Sequence, residues 1–464
     1  MTRLALFLLL AAVFSPCLDA EEKRPPNIVF ILADDLGWTD LGCYGSKYYK
    51  TPNIDRLARN GMRFTHAHSA GPNCAPTRAA LMTGQYGPRT GVYTVGTGAR
   101  GAAEGRKLVP VENVTQLPLD RVTVAQALKG LGYQTALFGK WHLGEKKEHH
   151  PAQRGFDEAI VSMGKHFNFV TNPKLPIAKD AYLADFLTDK ALDFIQRNKD
   201  KPFFLYLAHF GVHTPLEAKP ELLEKYRKKK GGGGHDNPVY AAMIESVDES
   251  VGRVVAMLER LKLTENTIVI FSSDNGGVGG YAAAGVKGAR DITNNAPLRG
   301  GKGMLYEGGV RVCWIVAWRG KVPAGGGSEE PIISVDLFPT CVDLAGGAGK
   351  AAVKQPLDGK SLAPLFLGKE KTLKRDALFW HFPGYLEAGA KATSWRTTPA
   401  GAIRAGDWKL LEFFEDGRLE LYNLRDDPSQ KNNLAAAEAE RRRELHERLV
   451  AWRRDVKAPM PRGK

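Results

Sequence analysis

Four short, almost wholly apolar runs set the architecture of this chain. They lie at residues 27–32 (NIVFIL), 134–138 (QTALF), 203–207 (FFLYL) and 267–271 (TIVIF). Runs of this length, rich in β-branched and aromatic residues and lacking strict alternation, suit strands buried on both faces, as in a parallel sheet covered by helices. Helix-period segments stand between them, around residues 124–128 and 241–261. The chain therefore reads as an α/β fold with helices on both faces of its sheet. Each run stops at polar residues: Asp34-Asp35 after the first, Lys140 after the second, His209 and His213 beyond the third, and Asp274-Asn275 after the fourth. Ligands of open α/β sheets gather beyond the carboxyl ends of the strands, so these residues are the first candidates for a site.

With 464 residues the chain exceeds what one core comfortably serves, and a large domain with a smaller companion is expected. The texture changes after Leu367. Residues 408–414 and 419–422, separated by Asp416-Gly417, read as an antiparallel hairpin, and a charged amphipathic helix over about 435–456 follows. The expected division is a catalytic α/β domain over residues 25–370 and a C-terminal sheet-plus-helix subdomain over 375–464. Glycine-rich stretches at 231–234, 325–327 and 346–347 are loops without a phosphate-binding Walker pattern.

Residues 1–20 carry a basic start at Arg3, an apolar core over 4–14 and a polar end at Asp19-Ala20, which is the pattern of a secretory signal peptide. Phe14-Ser15-Pro16 before Cys17 does not form a lipoprotein box, and no later run is apolar enough to span a bilayer. An exported protein, periplasmic or secreted, is expected. The formal net charge of +14 survives removal of the leader, because Arg3 and Asp19 leave together. Such a balance favours polyanionic partners. The basic runs at 228–230 and 441–443 lack the interleaved aromatics of a single-strand binder, so a nucleic-acid partner is not expected. After the leader the cysteines are Cys43, Cys74, Cys313 and Cys341. Setting Cys74 aside leaves three, so at most one disulfide pair forms and no disulfide framework supports the fold.

Cys74 is singled out by its neighbours, Cys74-Ala75-Pro76-Thr77-Arg78. With Pro76 in a first turn, a helix begins at about Cys74 and runs through Leu81. Residues four apart share a face, so Arg78 points the way Cys74 does. Unpaired N–H groups at such a helix start favour an anion near residue 74. The pairs Asp34-Asp35 and Asp274-Asn275 bring three carboxylates and an amide together, a set that calls for a hard divalent cation. Calcium suits an all-oxygen protein cage better than magnesium, and no Cys/His spacing suggests zinc. Lys140 and His142, two apart after a strand, reach into one pocket. His213 lies in Gly211-Val212-His213-Thr214-Pro215, and Lys302 lies shortly before Glu307-Gly308-Gly309.

These motifs resemble the sulfatase family, in order along the chain from Asn27 to about Leu434. Cys74-x-Pro76-x-Arg78, with Thr77 in place of the usual serine and Thr83-Gly84 following, matches the family's signature. The resemblance implies an alkaline-phosphatase-like mixed sheet flanked by helices, with a small C-terminal antiparallel sheet. It further implies oxidation of Cys74 to formylglycine by a formylglycine-generating or anaerobic maturation enzyme. One Ca2+ ion is then held by Asp34, Asp35, Asp274, Asn275 and residue 74. The implied roles are nucleophile for the modified Cys74, orientation of it by Arg78, and proton acceptance by Asp274. Lys140, His213 and Lys302 bind sulfate, His213 and Lys302 serve the leaving oxygen, and His142 acts as base when sulfate is expelled. The implied substrate is a sulfate ester, and export with a basic surface favours a sulfated carbohydrate. Residues 166–168 and 381–385 are expected to face it. The alternatives are a phosphonate or phosphodiester hydrolase of the same superfamily, and a non-catalytic binder of sulfated glycans if Cys74 stays a thiol. Asn113-Val114-Thr115 is a glycosylation acceptor in a eukaryotic host.

Overall fold

The computed structural model describes residues 24–347, 353–389 and 394–464. The leader read at residues 1–20 lies outside the described residues. The four apolar runs are the strands Thr267–Ser273, Asn27–Ala33, Phe203–Ala208 and Gln134–Gly139, adjacent in that order and all parallel. Glu158–Val161 adds a further parallel strand on one side. On the other side Arg311–Ala317 pairs antiparallel with both Thr267–Ser273 and Met62–His68, so the nine-stranded sheet is mixed.

Side chains of a strand point alternately to the two faces. Ile28, Phe30 and Leu32 enter one core with the helices Cys74–Thr83, Val124–Gly130 and Leu337–Leu344. Val29, Ile31 and Ala33 enter the other, against the helices Pro52–Arg59, Leu183–Arg197 and Pro238–Arg260. Helices on both faces explain why these strands are apolar along their whole length.

A four-stranded antiparallel sheet follows, in the order Leu378–Phe382, Ala400–Ala405, Trp408–Phe413, Leu419–Asn423. Ile403, Leu410 and Leu421 on one of its faces pack against Leu445 and Leu449 of the helix Ala439–Asp455. Leu378, Trp380, Phe382, Ala402 and Leu411 pack with Tyr306 and Val310 of the larger region. Trp380 Nε1 also donates to Ser69 O at 2.8 Å across this joint. No helix among the described residues is long and apolar enough to cross a membrane. Cys43, Cys313 and Cys341 are free thiols, so the one pair the count allowed is not formed.

Candidate active site

Ala33 and Ser273 are register partners at the ends of two adjacent parallel strands. The next residues, Asp34 and Asp274, therefore leave the sheet side by side. Asp34 is tied to the segment beyond a third strand, since Asp34 N donates to Gly211 O at 2.9 Å and Val212 N donates to Asp34 O at 2.8 Å. Lys140 N donates to Ala208 O at 2.7 Å and so leaves its strand at the same level. Residues from four strand ends thus meet at one edge of the sheet.

Cys74 enters from above. It is the first residue of the helix Cys74–Thr83, which is buried throughout and closes on Gly84 in the left-handed region at φ 68°. Pro76 sits in the first turn, where its missing N–H costs no helical bond. Thr77 Oγ1 and Ser69 Oγ both donate to Gly71 O, at 3.1 and 2.8 Å, fixing the loop that feeds the helix. Cys74 Sγ lies 3.4 Å from Asp34 Oδ1 and 3.9 Å from Asp35 Oδ1. One turn on, Arg78 donates to Asp274 Oδ2 from Nε at 3.1 Å and from Nη2 at 2.8 Å, and to Lys140 O from Nη1 at 2.7 Å.

The carboxylates are paired with bases. Lys140 Nζ contacts Asp34 Oδ2, Lys302 Nζ reaches Asp35 Oδ2 at 2.7 Å, and His213 Nε2 stands 3.6 Å from the same oxygen. This differs from the bare acidic set expected from sequence, because three cations from distant segments already offset the repulsion. Acceptors nevertheless remain. Asn275 Nδ2 donates to Asp35 Oδ1 and Gly276 O, both at 2.9 Å, leaving Asn275 Oδ1 buried with no partner among the described residues. Candidate ligand atoms of Asp34, Asp35, Cys74 and His213 all lie within 4.8 Å of one another. Asp274 is drawn to Arg78 on one oxygen and accepts Asp35 N–H at 3.1 Å on the other.

Ionisation follows from burial and these neighbours. Burial opposes a charge on Asp35, but Lys302, His213 and Lys140 outweigh it and hold its carboxyl below the usual range. Burial, reinforced by Asp34, raises Asp274 to about 6. Burial raises the Cys74 thiol, yet Lys140 and Lys302 prevail and bring it down to about 7. Burial followed by Lys140 and Arg78 lowers His142 to about 3, so its ring is neutral. In His213 burial disfavours the proton and Asp35 more than restores it, raising the ring above its ordinary value. Asp35 and His142 both adopt φ 62°, a left-handed conformation uncommon outside glycine and asparagine.

The assembly opens into a cleft of about 410 Å³ lined by Cys74, Lys140, His142, His213 and Lys302. Several of its other lining residues were not foreseen: Asn73, Arg100, Phe210, Leu386 and Arg396. His209 turns away, its Nε2 on Ser250 Oγ at 2.9 Å. The two segments expected to face substrate do other work. His166 Nε2 bonds His213 O at 2.8 Å and its ring stacks on Phe210, so it backs His213. His381 lies within the small sheet with Nε2 on Pro459 O at 2.8 Å, and only the neighbouring Leu386 reaches the cleft. The Asn113 amide is engaged: Oδ1 accepts the N–H groups of Tyr93 and Thr94 at 2.7 and 3.0 Å, and Nδ2 donates to Thr94 O at 3.1 Å, so a glycan there would displace a turn's bonds.

The chain is similar to known proteins in sequence and in fold. The profile described as sulfatase matches residues 26–348, and that of the N-sulphoglucosamine sulphohydrolase C-terminal region matches 301–455. A sulfatase of Formosa agariphila is 35% identical over 94% of this chain and 89% of its own length. The N-acetylgalactosamine-6-sulfatase of Canis lupus familiaris is 36% identical over 76% of this chain and 68% of its own. Among solved structures, Ps i-CgsB in complex with k-i-k-neocarrahexaose is 31% identical, covers 92% of this chain and 93% of that one, and superposes with a TM-score of 0.76. The fold and the site define a hydrolase of the alkaline-phosphatase-like class. The chain belongs to the sulfatase family, whose members hydrolyse sulfate esters.

Proposed function

We propose that the protein desulfates carbohydrates, using a formylglycine made from Cys74 and one bound calcium ion. The observation that carries this reading is the Cys74 thiol, at a buried helix start, within 3.4 Å of a carboxylate and opening into a cleft walled by Lys140, Lys302, His142 and His213. The carbohydrate part is supported by relatives named for N-acetylgalactosamine-6-sulfatase activity and by the neocarrahexaose complex.

The residues fit a hard cation. Asp34, Asp35, Asp274 and the orphaned Oδ1 of Asn275 are oxygen donors, and among the described residues no second sulfur or zinc-like His pair accompanies them. Bound there, calcium would withdraw electrons from the sulfuryl group, and an aldehyde hydrate at position 74 would supply one hydroxyl for attack and a second for expulsion of sulfate.

The chain's own residues do the rest. Lys140 and Lys302 trade contact with Asp34 and Asp35 for the sulfuryl oxygens and neutralise charge as it grows. Arg78 locks Asp274 in place to accept a proton. His213 Nδ1 donates to Thr214 O at 2.5 Å, so a raised ring carries its second proton on Nε2, the atom facing the cleft, ready for the leaving oxygen. His142, with Nδ1 buried and free of partners among the described residues, is the base assigned to release of sulfate.

Peptide mass spectrometry at residue 74 tests the modification: replacement of the thiol methylene by an aldehyde is expected, and an intact thiol in fully active protein would refute it. Removal of metal by a chelator should abolish turnover of a sulfated saccharide, and calcium should restore it. Full activity in protein shown by elemental analysis to be metal-free would refute the calcium site.

A further inference from the structure

Four cationic side chains line the cleft, Arg100, Lys140, Lys302 and Arg396, and no lining residue is acidic. Three of the four are engaged. Lys140 meets Asp34, Lys302 meets Asp35, and Arg100 donates to Glu387 Oε1 from Nη2 at 2.6 Å and from Nε at 3.1 Å. Arg396 has no acidic partner among the described residues. Its only hydrogen bond there is a long one, Nη2 to Ala388 O at 3.4 Å, and its Nε is buried with none.

The group is nevertheless held in place. Its guanidinium lies over the ring of Tyr281, 4.6 Å from the centroid. Its stem rests on Gly303, where a Cβ would stand 2.5 Å from Arg396 Cδ, and Gly303 itself has φ 94°. Gly303 follows Lys302, whose carbonyl accepts the Tyr281 hydroxyl at 2.8 Å. One tyrosine therefore fixes the backbone of Lys302 and carries Arg396 on its face. A planar donor fork without a counter-ion is thus pre-organised beside the lysine assigned to the scissile sulfate. Such a fork matches a sulfate or carboxylate in bidentate fashion.

We propose that Arg396 binds a second oxyanion of the substrate, a sulfate or carboxylate on the saccharide that bears the scissile ester. This rests on the carbohydrate reading above and narrows it to saccharides with at least two anionic groups.

The test compares kcat/KM of the wild type and Arg396→Gln on three saccharides: one monosulfated and otherwise neutral, one disulfated, and one monosulfated with a uronate. The wild type should favour one of the doubly charged substrates, and that preference should fall about 10- to 100-fold in Arg396→Gln. Whichever preference collapses identifies the oxyanion. Arg396→Lys keeps the charge without the planar fork and should recover only part of it. Calorimetric binding of the same compounds to Cys74→Ala protein, with and without Arg396→Gln, reads the subsite in the absence of turnover. A preference lacking in both assays, or one that survives Arg396→Gln unchanged, overturns the proposal. If no saccharide is hydrolysed yet binding retains an Arg396-dependent preference, the carbohydrate sulfatase reading fails while the subsite stands.

Discussion

Two clusters of buried charge can be set side by side. One is the cluster around Cys74. The other lies between the large sheet and the small one, where Glu307 receives Lys409 Nζ at 2.7 Å and His68 Nε2 at 3.1 Å, with Arg311 at 3.9 Å and Arg404 against His68 at 3.3 Å. The ionisation of Glu307 is displaced as well: burial opposes its charge, yet Lys409 and His68 hold it well below the ordinary carboxylate range. Perturbed ionisation alone does not tell the two clusters apart. What separates the clusters is surplus and access. Around Glu307 a single carboxylate is ringed by excess base and the one ring nitrogen left over, His68 Nδ1, is sealed from solvent, on residues of ordinary backbone conformation. Around Cys74 acceptors are left over, two residues are left-handed, and the group opens into a cleft. The first arrangement holds two sheets together, and the second is built to receive something.

Breaking each cluster should therefore move a different observable. The largest effect expected is on turnover: Cys74→Ser should lose about 10³-fold or more in steady-state kcat, since a single hydroxyl lacks the second one needed to expel sulfate. Its thermal midpoint should stay close to that of the wild type, and near-normal multiple turnover would contradict the reading. Glu307→Ala should instead cost about 3–5 kcal/mol of stability, because Lys409 loses the carboxylate that pairs it in a sealed site. Denaturant unfolding checks this, and a loss below about 1 kcal/mol would place the joint's stability elsewhere.

A finer contrast lies within the catalytic cluster. Lys302→Ala should raise KM and lower kcat for every sulfate ester, by about 10- to 100-fold in kcat/KM. His213→Ala should act on kcat for sugar sulfates and be milder on an activated aryl sulfate, whose leaving group needs little proton help. Equal losses on both substrates would remove His213 from that role. The smallest effect is a slope with pH. Burial lowers His68 and His209 each to about 4. The unfolded chain then takes up protons first, so stability is complete above about 6.5 and declines as pH falls toward 4. Urea titrations at neutral pH and near pH 5 should show the decline, and a flat profile would mean that these rings are not buried neutral.

The sheet edge was legible because these buried parallel strands carry no charge to their last residue, so Asp34, Lys140 and Asp274 stand out as the first charged residue beyond each. Register did the rest: Ala33 opposite Ser273 puts two separately read acidic pairs side by side. Cys74 and Arg78 were legible because a helix start and a four-residue spacing are local properties. The cleft's far wall was not. Arg100, Phe210, Leu386 and Arg396 come from loops and from the small sheet, where no period or cap marks a residue that meets its partner only after folding. The offset of the carboxylates by Lys140 and Lys302 was hidden for the same reason, since it depends on segments more than 100 and 260 positions apart.

Leu386 and Arg396 hang from a two-stranded ribbon, Leu386–Glu387 against Trp395–Thr397, whose ladder is two residue pairs long and carries a register irregularity. Cys74 opens a helix of the large region and the carboxylates and Lys140 stand at its strand ends, whereas Lys302 lies in a turn beside the ribbon, its neighbour Gly303 packed against Arg396 and Leu386. Changes in the ribbon are accordingly expected to alter what the cleft accepts while leaving Cys74, Lys140 and the carboxylates in place, with Lys302 the one lysine within its reach. On the proposed subsite, selectivity is an exchangeable part, and grafting a ribbon of different length onto this scaffold should change which saccharide is preferred.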